Sequence, residues 1–94
     1  MRVIVFTPQF KRAFRKFTKR NPLRQSQIED RLRKMELDLY APALGTHKLS
    51  GELLGLRACS CGYDCRIAFA IEVDLKTGAE VIVLVGVGTH DEIY

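Results

Sequence analysis

Val81-Ile82-Val83-Leu84-Val85-Gly86-Val87, running straight into Gly88-Thr89-His90-Asp91-Glu92-Ile93-Tyr94, is the stretch on which the reading of this chain turns. The first part is apolar at every position, so both faces of the strand it forms, Glu80 to Val87, are buried and the strand is central in its sheet. The strand breaks at a glycine and then displays His, Asp, Glu and Tyr. It therefore delivers ionisable groups to one rim of the sheet. Histidine both takes and gives a proton near neutral pH. The only other histidine lies in Thr46-His47-Lys48-Leu49-Ser50-Gly51, also beside a glycine. Two histidines at glycine breaks in a basic chain point to proton transfer on a polyanion.

Working back from that strand, the hydrophobic period separates helices from strands. Met1 to Phe6 reads as a short strand rich in β-branched residues. Thr7-Pro8 starts a helix, with Thr7 as N-cap and Pro8 as its first residue. Phe10, Ala13, Phe14 and Phe17 form its apolar stripe. Asn21-Pro22 starts a second helix, whose stripe is Ile28, Leu32, Met35 and Leu39 and whose stop is Ala41-Pro42. A loop from Ala41 to Gly51 carries His47 and Lys48. Leu53 to Cys59 is the next strand, with a turn around Cys61-Gly62. Tyr63 to Val73 follows, with Tyr63, Cys65, Ile67, Phe69, Ile71 and Val73 on the core face and Asp64 and Arg66 on the other. Lys76-Thr77-Gly78 turns into the final strand. The expectation is an α+β fold of order β-α-α-β-β-β, a helical hairpin packed on one face of a mostly antiparallel sheet. Residues 1–94 read as one domain.

Lys11, Arg12, Arg15, Lys16, Lys19, Arg20 and Arg24 follow one another with no intervening acid, within a net charge of +4. A one-signed run repels itself, so it suits nucleic acid or another acidic partner. The apolar start is too short for a signal peptide, and no segment is long enough to span a membrane, which points to a cytoplasmic protein. Cys59, Cys61 and Cys65 are an odd set, expected as free, partly buried strand thiols in a reducing compartment. Their Cys-x-Cys-x-x-x-Cys spacing is not a paired zinc knuckle. No metal or cofactor is expected.

The open face of the sheet would gather Arg66, His90 and Tyr94, with His47 and Lys48 arriving from the loop. That set suits cleavage of RNA, whose own 2′-hydroxyl lies beside each phosphate. A base removes that proton, an acid protonates the leaving 5′-oxygen, and Arg faces the crowded phosphate. Each residue also has a plain alternative: His90 caps the final strand or binds a partner, His47 packs its loop, Arg66 pairs with Asp64 or Glu72, Lys48 is a solvated charge, Tyr94 plugs the core, and Arg57 meets only solvent.

The chain resembles the RelE/ParE toxin superfamily, most closely its YafQ-like RelE branch, over nearly its whole length. The resemblance rests on the basic, phenylalanine-bearing first helix and on His47-Lys48-Leu49-Ser50-Gly51. It continues through Gly55-Leu56-Arg57-Ala58-Cys59-Ser60, Tyr63-Asp64-Cys65-Arg66-Ile67 and the segment Gly88 to Tyr94. It implies a RelE-like fold and the toxin of a type II toxin–antitoxin system: a metal-independent endoribonuclease acting on mRNA in the ribosomal A site and restrained by a cognate antitoxin. By position, His47 and His90 resemble the acid–base pair, Asp64 the acidic active-site residue, Arg66 the phosphate-facing arginine and Tyr94 the base-contacting aromatic. Lys11, Arg12, Arg15, Lys16, Lys19, Lys48 and Arg57 are the expected RNA-binding cations. Two other readings compete. One is a non-enzymatic ParE-like inhibitor of DNA gyrase, whose relatives generally lack the terminal Gly-x-His pattern. The other is an RNA-binding module without chemistry.

Overall fold

The computed structural model describes residues 2–49 and 55–94. Its elements are β1 (Val3–Phe6), α1 (Pro8–Thr18), α2 (Pro22–Leu37), β2 (His47–Lys48), β3 (Arg57–Gly62), β4 (Cys65–Val73), β5 (Glu80–Gly88) and α3 (His90–Ile93), with a 3₁₀ turn at Pro42–Leu44. The sheet order is β1-β5-β4-β3-β2. β1 runs parallel to β5, and every other neighbouring pair is antiparallel. The fold is thus the expected α+β arrangement, and β5 is an interior strand between β1 and β4.

Both helix starts form as read. Thr7 Oγ1 accepts from the Phe10 N–H at 3.1 Å and donates to the Leu84 carbonyl at 2.6 Å, so one hydroxyl caps α1 and ties it to β5. Asn21 Oδ1 accepts from the Arg24 N–H at 3.0 Å and caps α2. The helical hairpin buries Phe10, Ile28 and Met35 against Ile67, Phe69, Ile82 and Leu84 of the sheet. α2 ends at Leu37, before the expected stop, with Asp38 as its C-cap. Leu39 is still fully buried, but as a plug beyond the helix. Ala41-Pro42 opens the 3₁₀ turn rather than closing α2.

Four other expectations shift. The segment expected as a plain loop contains β2, because His47 and Lys48 find partners in Ala58 and Arg57 on the edge of β3. The strand expected over 53–59 is seen from Arg57 and extends to Gly62, while residues 50–54, including Ser50, Gly51, Leu53 and Leu54, lie outside the described residues. The turn consequently sits at Tyr63-Asp64, which leaves Tyr63 99% exposed rather than in the core. Finally, Cys61 and Cys65 form a disulfide, so the expectation of three free thiols fails. Cys61 is the extra residue of a bulge between Ser60 and Gly62, and its Cα lies 5.0 Å from that of Cys65, within bridging range. Spacing in the sequence says nothing of that bulge.

Cys59 is the free thiol, fully buried, 3.7 Å from Met35 Sδ. Burial pushes its pKa up to about 12 despite the nearby Arg31 and Arg66 charges. The thiolate is the reactive form, so the native protein should not react with iodoacetamide. Unfolded without reductant it should take up one label per chain, and after reduction all three cysteines should react. Rapid labelling of the native chain would contradict this placement.

Candidate active site

On the face of the sheet away from the helical hairpin, three small residues lie side by side across three strands. Ala58 of β3 pairs with Ala68 of β4, which pairs with Gly86 of β5. Their shallow row leaves room for a second, smaller apolar cluster in which Leu49 and Ile93 pack on Ala58 and Ala68. Ile93 belongs to α3, so this contact draws that single helical turn down onto the sheet. The turn has its own closure: Thr89 Oγ1 accepts from the Glu92 N–H at 3.3 Å, and Glu92 Oε1 accepts from the Thr89 N–H at 2.9 Å. This is a capping box. The Thr89 backbone N–H and, after it, the Thr89 hydroxyl hold the Glu92 carboxyl below its usual range. A further tether comes from β4's side of the site, where Asp64 Oδ1 accepts from the His90 N–H at 3.0 Å.

Asp64 reaches that donor from the hairpin turn, with φ of 49°. Asp is among the few residues that tolerate this left-handed backbone. The Cys61–Cys65 bridge closes the same turn. Arg66, the next residue, donates through Nη1 to the carbonyls of Gly62 at 3.2 Å and Cys65 at 2.8 Å. Its guanidinium also lies near enough to Tyr94 to favour the ionised form of that hydroxyl. Arg66 forms an ion pair with neither Asp64 nor Glu72.

Tyr94 is the hub. Its ring centroid lies 4.3 Å from that of His90, edge to face, and 5.4 Å from that of His47. Partial burial raises the Tyr94 pKa, so its hydroxyl stays protonated through the neutral range, with Arg66 opposing the shift. His47 Nδ1 lies 2.9 Å from the Gly45 carbonyl. A carbonyl only accepts, so Nδ1 carries the proton and the neutral ring keeps its Nε2 lone pair for other work. His90 Nδ1 lies 3.5 Å from Asp91 Oδ1. Both imidazoles are exposed, while Asp64 and Arg66 are half-buried. The structure therefore brings His47, Asp64, Arg66, His90 and Tyr94 into one cluster.

The expected cations divide differently. Lys48 and Arg57 are directly paired across β2 and β3, so they leave the face opposite to His47 and Ala58. Arg57 donates to the Tyr40 hydroxyl at 3.0 Å. Lys11 and Arg15 line a groove between the helices with Phe10, Phe14 and Leu32. Lys16 and Lys19 line a separate cleft beside α3. Arg12 is exposed on α1. Sequence reasoning missed the roles of Thr89, Glu92 and Gly45. The first two were signalled by Thr89-x-x-Glu92, which matches the capping-box spacing.

No family model and no curated protein matches this chain. Solved structures do. A YoeB/ParE toxin from Agrobacterium tumefaciens superposes with a TM-score of 0.74 at 12% identity, covering 94% of this chain and 98% of that one. A histidine-to-glutamine mutant of YafQ from E. coli gives 0.73 at 15% identity, covering 100% and 99%. A chain of the E. coli DinJ-YafQ toxin-antitoxin complex gives 0.74 at 13% identity, covering 99% and 97%. The chain has the RelE-like fold of these neighbours.

Two glycines test how α3 is held. A Cβ on Gly88 would lie 3.0 Å from Glu92 Oε1 and 3.2 Å from Glu92 Cβ, so Gly88→Ala must displace the capping residue. One on Gly86 would meet Ile93 Cδ1 at 3.7 Å and Ala68 Cβ at 3.9 Å, ordinary contacts. Thermal melts should show Gly88→Ala destabilised by about 1–3 kcal/mol and Gly86→Ala close to wild type.

Glu92 adds a pH test. A carboxyl whose folded pKa is lowered contributes stability above its unfolded value, ordinarily about 4.3, and loses it as pH falls through the folded one. Glu92→Ala should therefore melt below wild type at neutral pH, with the two curves converging in acid.

Proposed function

We propose that this chain is the toxin of a type II toxin–antitoxin system, an endoribonuclease that cleaves translated mRNA at the ribosomal A site in the cytoplasm. The observation that carries this reading is the Tyr94 ring in contact with both imidazoles, with the Arg66 guanidinium near its hydroxyl. One base, one acid, one phosphate-facing cation and one stacking platform are what attack by an RNA 2′-hydroxyl requires.

In this mechanism His47, its Nδ1 proton held by Gly45, removes the 2′-hydroxyl proton through Nε2. The 2′-oxygen attacks the adjacent phosphorus, and His90 protonates the departing 5′-oxygen. The products are a 2′,3′-cyclic phosphate and a 5′-hydroxyl. Arg66 has five N–H donors and spends only Nη1 on the hairpin carbonyls, which leaves others for the phosphate oxygens. Tyr94, 40% exposed, offers a face on which a base stacks. Asp64 acts as a positioning residue through the His90 N–H.

A cognate antitoxin completes the reading. The groove of about 400 Å³ between the helices has apolar walls from Phe6, Phe10, Phe14 and Leu32 and carries Lys11 and Arg15. Beside it β1 is an edge strand, with Val3, Val5 and Phe6 exposed. An amphipathic segment with acids on its rim fits such a groove. The DinJ-YafQ complex supplies a neighbour of the same fold held in a toxin–antitoxin pair.

Primer extension after brief expression should reveal new ends within translated coding regions, carrying 2′,3′-cyclic or 3′-phosphates. Products with 3′-hydroxyl ends would defeat the mechanism, and intact messages alongside broken DNA would favour a gyrase poison. Cleavage should follow a bell-shaped pH profile, with His47→Gln and His90→Gln each removing one limb. Arg66→Ala should lower the rate by on the order of a hundredfold or more with an unchanged circular dichroism spectrum. An Arg66→Ala chain that cuts at full rate would reduce this arginine to a hairpin brace.

A further inference from the structure

On the far side of α3 from His90 lies a cleft of about 450 Å³. Lys16, Phe17 and Lys19 of α1 and its exit form one wall, Arg24 of α2 another, and Val87 and Glu92 the third. The Arg24 guanidinium carbon sits 4.1 Å from the centroid of the Phe17 ring, and its Nη1 lies 3.5 Å from the Phe17 carbonyl. A cation held flat on an aromatic ring keeps its edge free for hydrogen bonding. Lys16 and Lys19 are exposed and, with Arg24, enter none of the ion pairs among the described residues. The single acid in the lining, Glu92, is engaged by its own capping box and faces Lys16. Three cations against one occupied carboxylate leave an anion-binding surplus.

The cleft is also placed for a strand. Glu92 lies between His90 and Tyr94 in the chain, so α3 is a shared wall. Val87 precedes Gly88, the β4–β5 partner of Arg66. A nucleic acid held at Arg66 and Tyr94 that passes over α3 arrives at Lys16, Lys19 and Arg24. The helical groove differs in kind: it is largely apolar and contains Glu29 and Glu36 among its walls.

We infer that this cleft is a second phosphate subsite, where Lys16, Lys19 and Arg24 bind an RNA backbone phosphate outside the cleavage centre. The inference rests on the endoribonuclease reading and deepens it. The phosphate belongs either to the substrate strand or to ribosomal RNA, and two arms separate these sources. Binding is measured against salt concentration, first to a 2′-O-methyl oligonucleotide, which cannot be cut, and then to vacant ribosomes. The proteins are wild type, a Lys16→Gln/Lys19→Gln double variant, and a Lys34→Gln/Lys76→Gln double variant that removes the same charge elsewhere.

Each lost phosphate contact on a single strand lowers the slope of log affinity against log salt by about 0.7. The Lys16/Lys19 variant, which strips that one phosphate of two of its three cations, should therefore lose up to about 0.7 of slope, or about fivefold in affinity at 0.1 M salt when carried from 1 M. The control variant should keep the wild-type slope. A loss in the oligonucleotide arm assigns the phosphate to the substrate strand, and a loss confined to ribosomes assigns it to ribosomal RNA. Equal slopes for all three proteins in both arms, equal losses in the two variants, or no binding by wild type would overturn the subsite. Cleavage of a translated message by wild type is scored separately. Cleavage without a slope difference removes the subsite alone, while a slope difference without cleavage removes the nuclease reading alone.

Discussion

Everything at the candidate site depends on one small apolar contact, Ile93 seated on the row formed by Ala58, Ala68 and Gly86. α3 has four residues, far below the length at which a helix is stable by itself. Its capping box closes the turn but does not fix it in space. Burying one isoleucine side chain contributes roughly 1.5–3 kcal/mol, enough to select one docked orientation. That orientation places His90 and Tyr94 over the sheet. Large side chains at Ala58 or Ala68 would fill the depression and leave Ile93 in water. The small residues are thus a positive requirement of the site, although none of them carries chemistry.

The second constraint comes from the opposite direction. The β3–β4 hairpin must bring Asp64 to the His90 N–H and Arg66 to Tyr94 at the same time. A bulge at Cys61, a left-handed Asp64 and the Cys61–Cys65 bridge set its shape together. Arg66 then fastens its own turn by donating to Gly62 and Cys65. The arginine is consequently held from the protein side before any anion arrives. A preset cation loses less side-chain freedom on binding than a free one, which is the physical content of preorganisation.

The parts of this design differ in how far they could be read from residues alone. Thr7-Pro8 and Asn21-Pro22 were legible as helix starts because a cap is a matter of three or four adjacent residues. The interior position of β5 was legible because a strand covered on both faces has no polar alternation. β2 was not, since two residues become a strand only when Ala58 and Arg57 lie opposite. Tyr63 looked like a core residue by period two, but the bulge upstream and the turn at its own position place it in solvent. The disulfide was hidden for the same reason. The chemistry-bearing set around His47, Arg66, His90 and Tyr94 was legible as a list of types and family positions. That Tyr94 contacts both histidines depends on Ile93, to which the sequence reading gave no packing role.

The exposure of the two imidazoles bears on how such a site could work. Charges in water interact weakly: two unit charges 4 Å apart gain about 1 kcal/mol at the dielectric constant of bulk water and about 4 at an effective value of 20. Preorganised donors reach their full effect only when water is excluded. His47 and His90 lie on the surface, so this chain supplies the groups without supplying the enclosure. Under the proposed reading, the second wall must come from whatever presents the strand, and a ribosome does that while it also fixes the geometry of the message. Free RNA should then be a poor substrate even when it binds, because the same acid, base and guanidinium act through solvent. On that reading a one-turn helix held by Ile93 and by the Asp64 bond to the His90 N–H, with cations on both flanks, would form half of a site whose other half is its target.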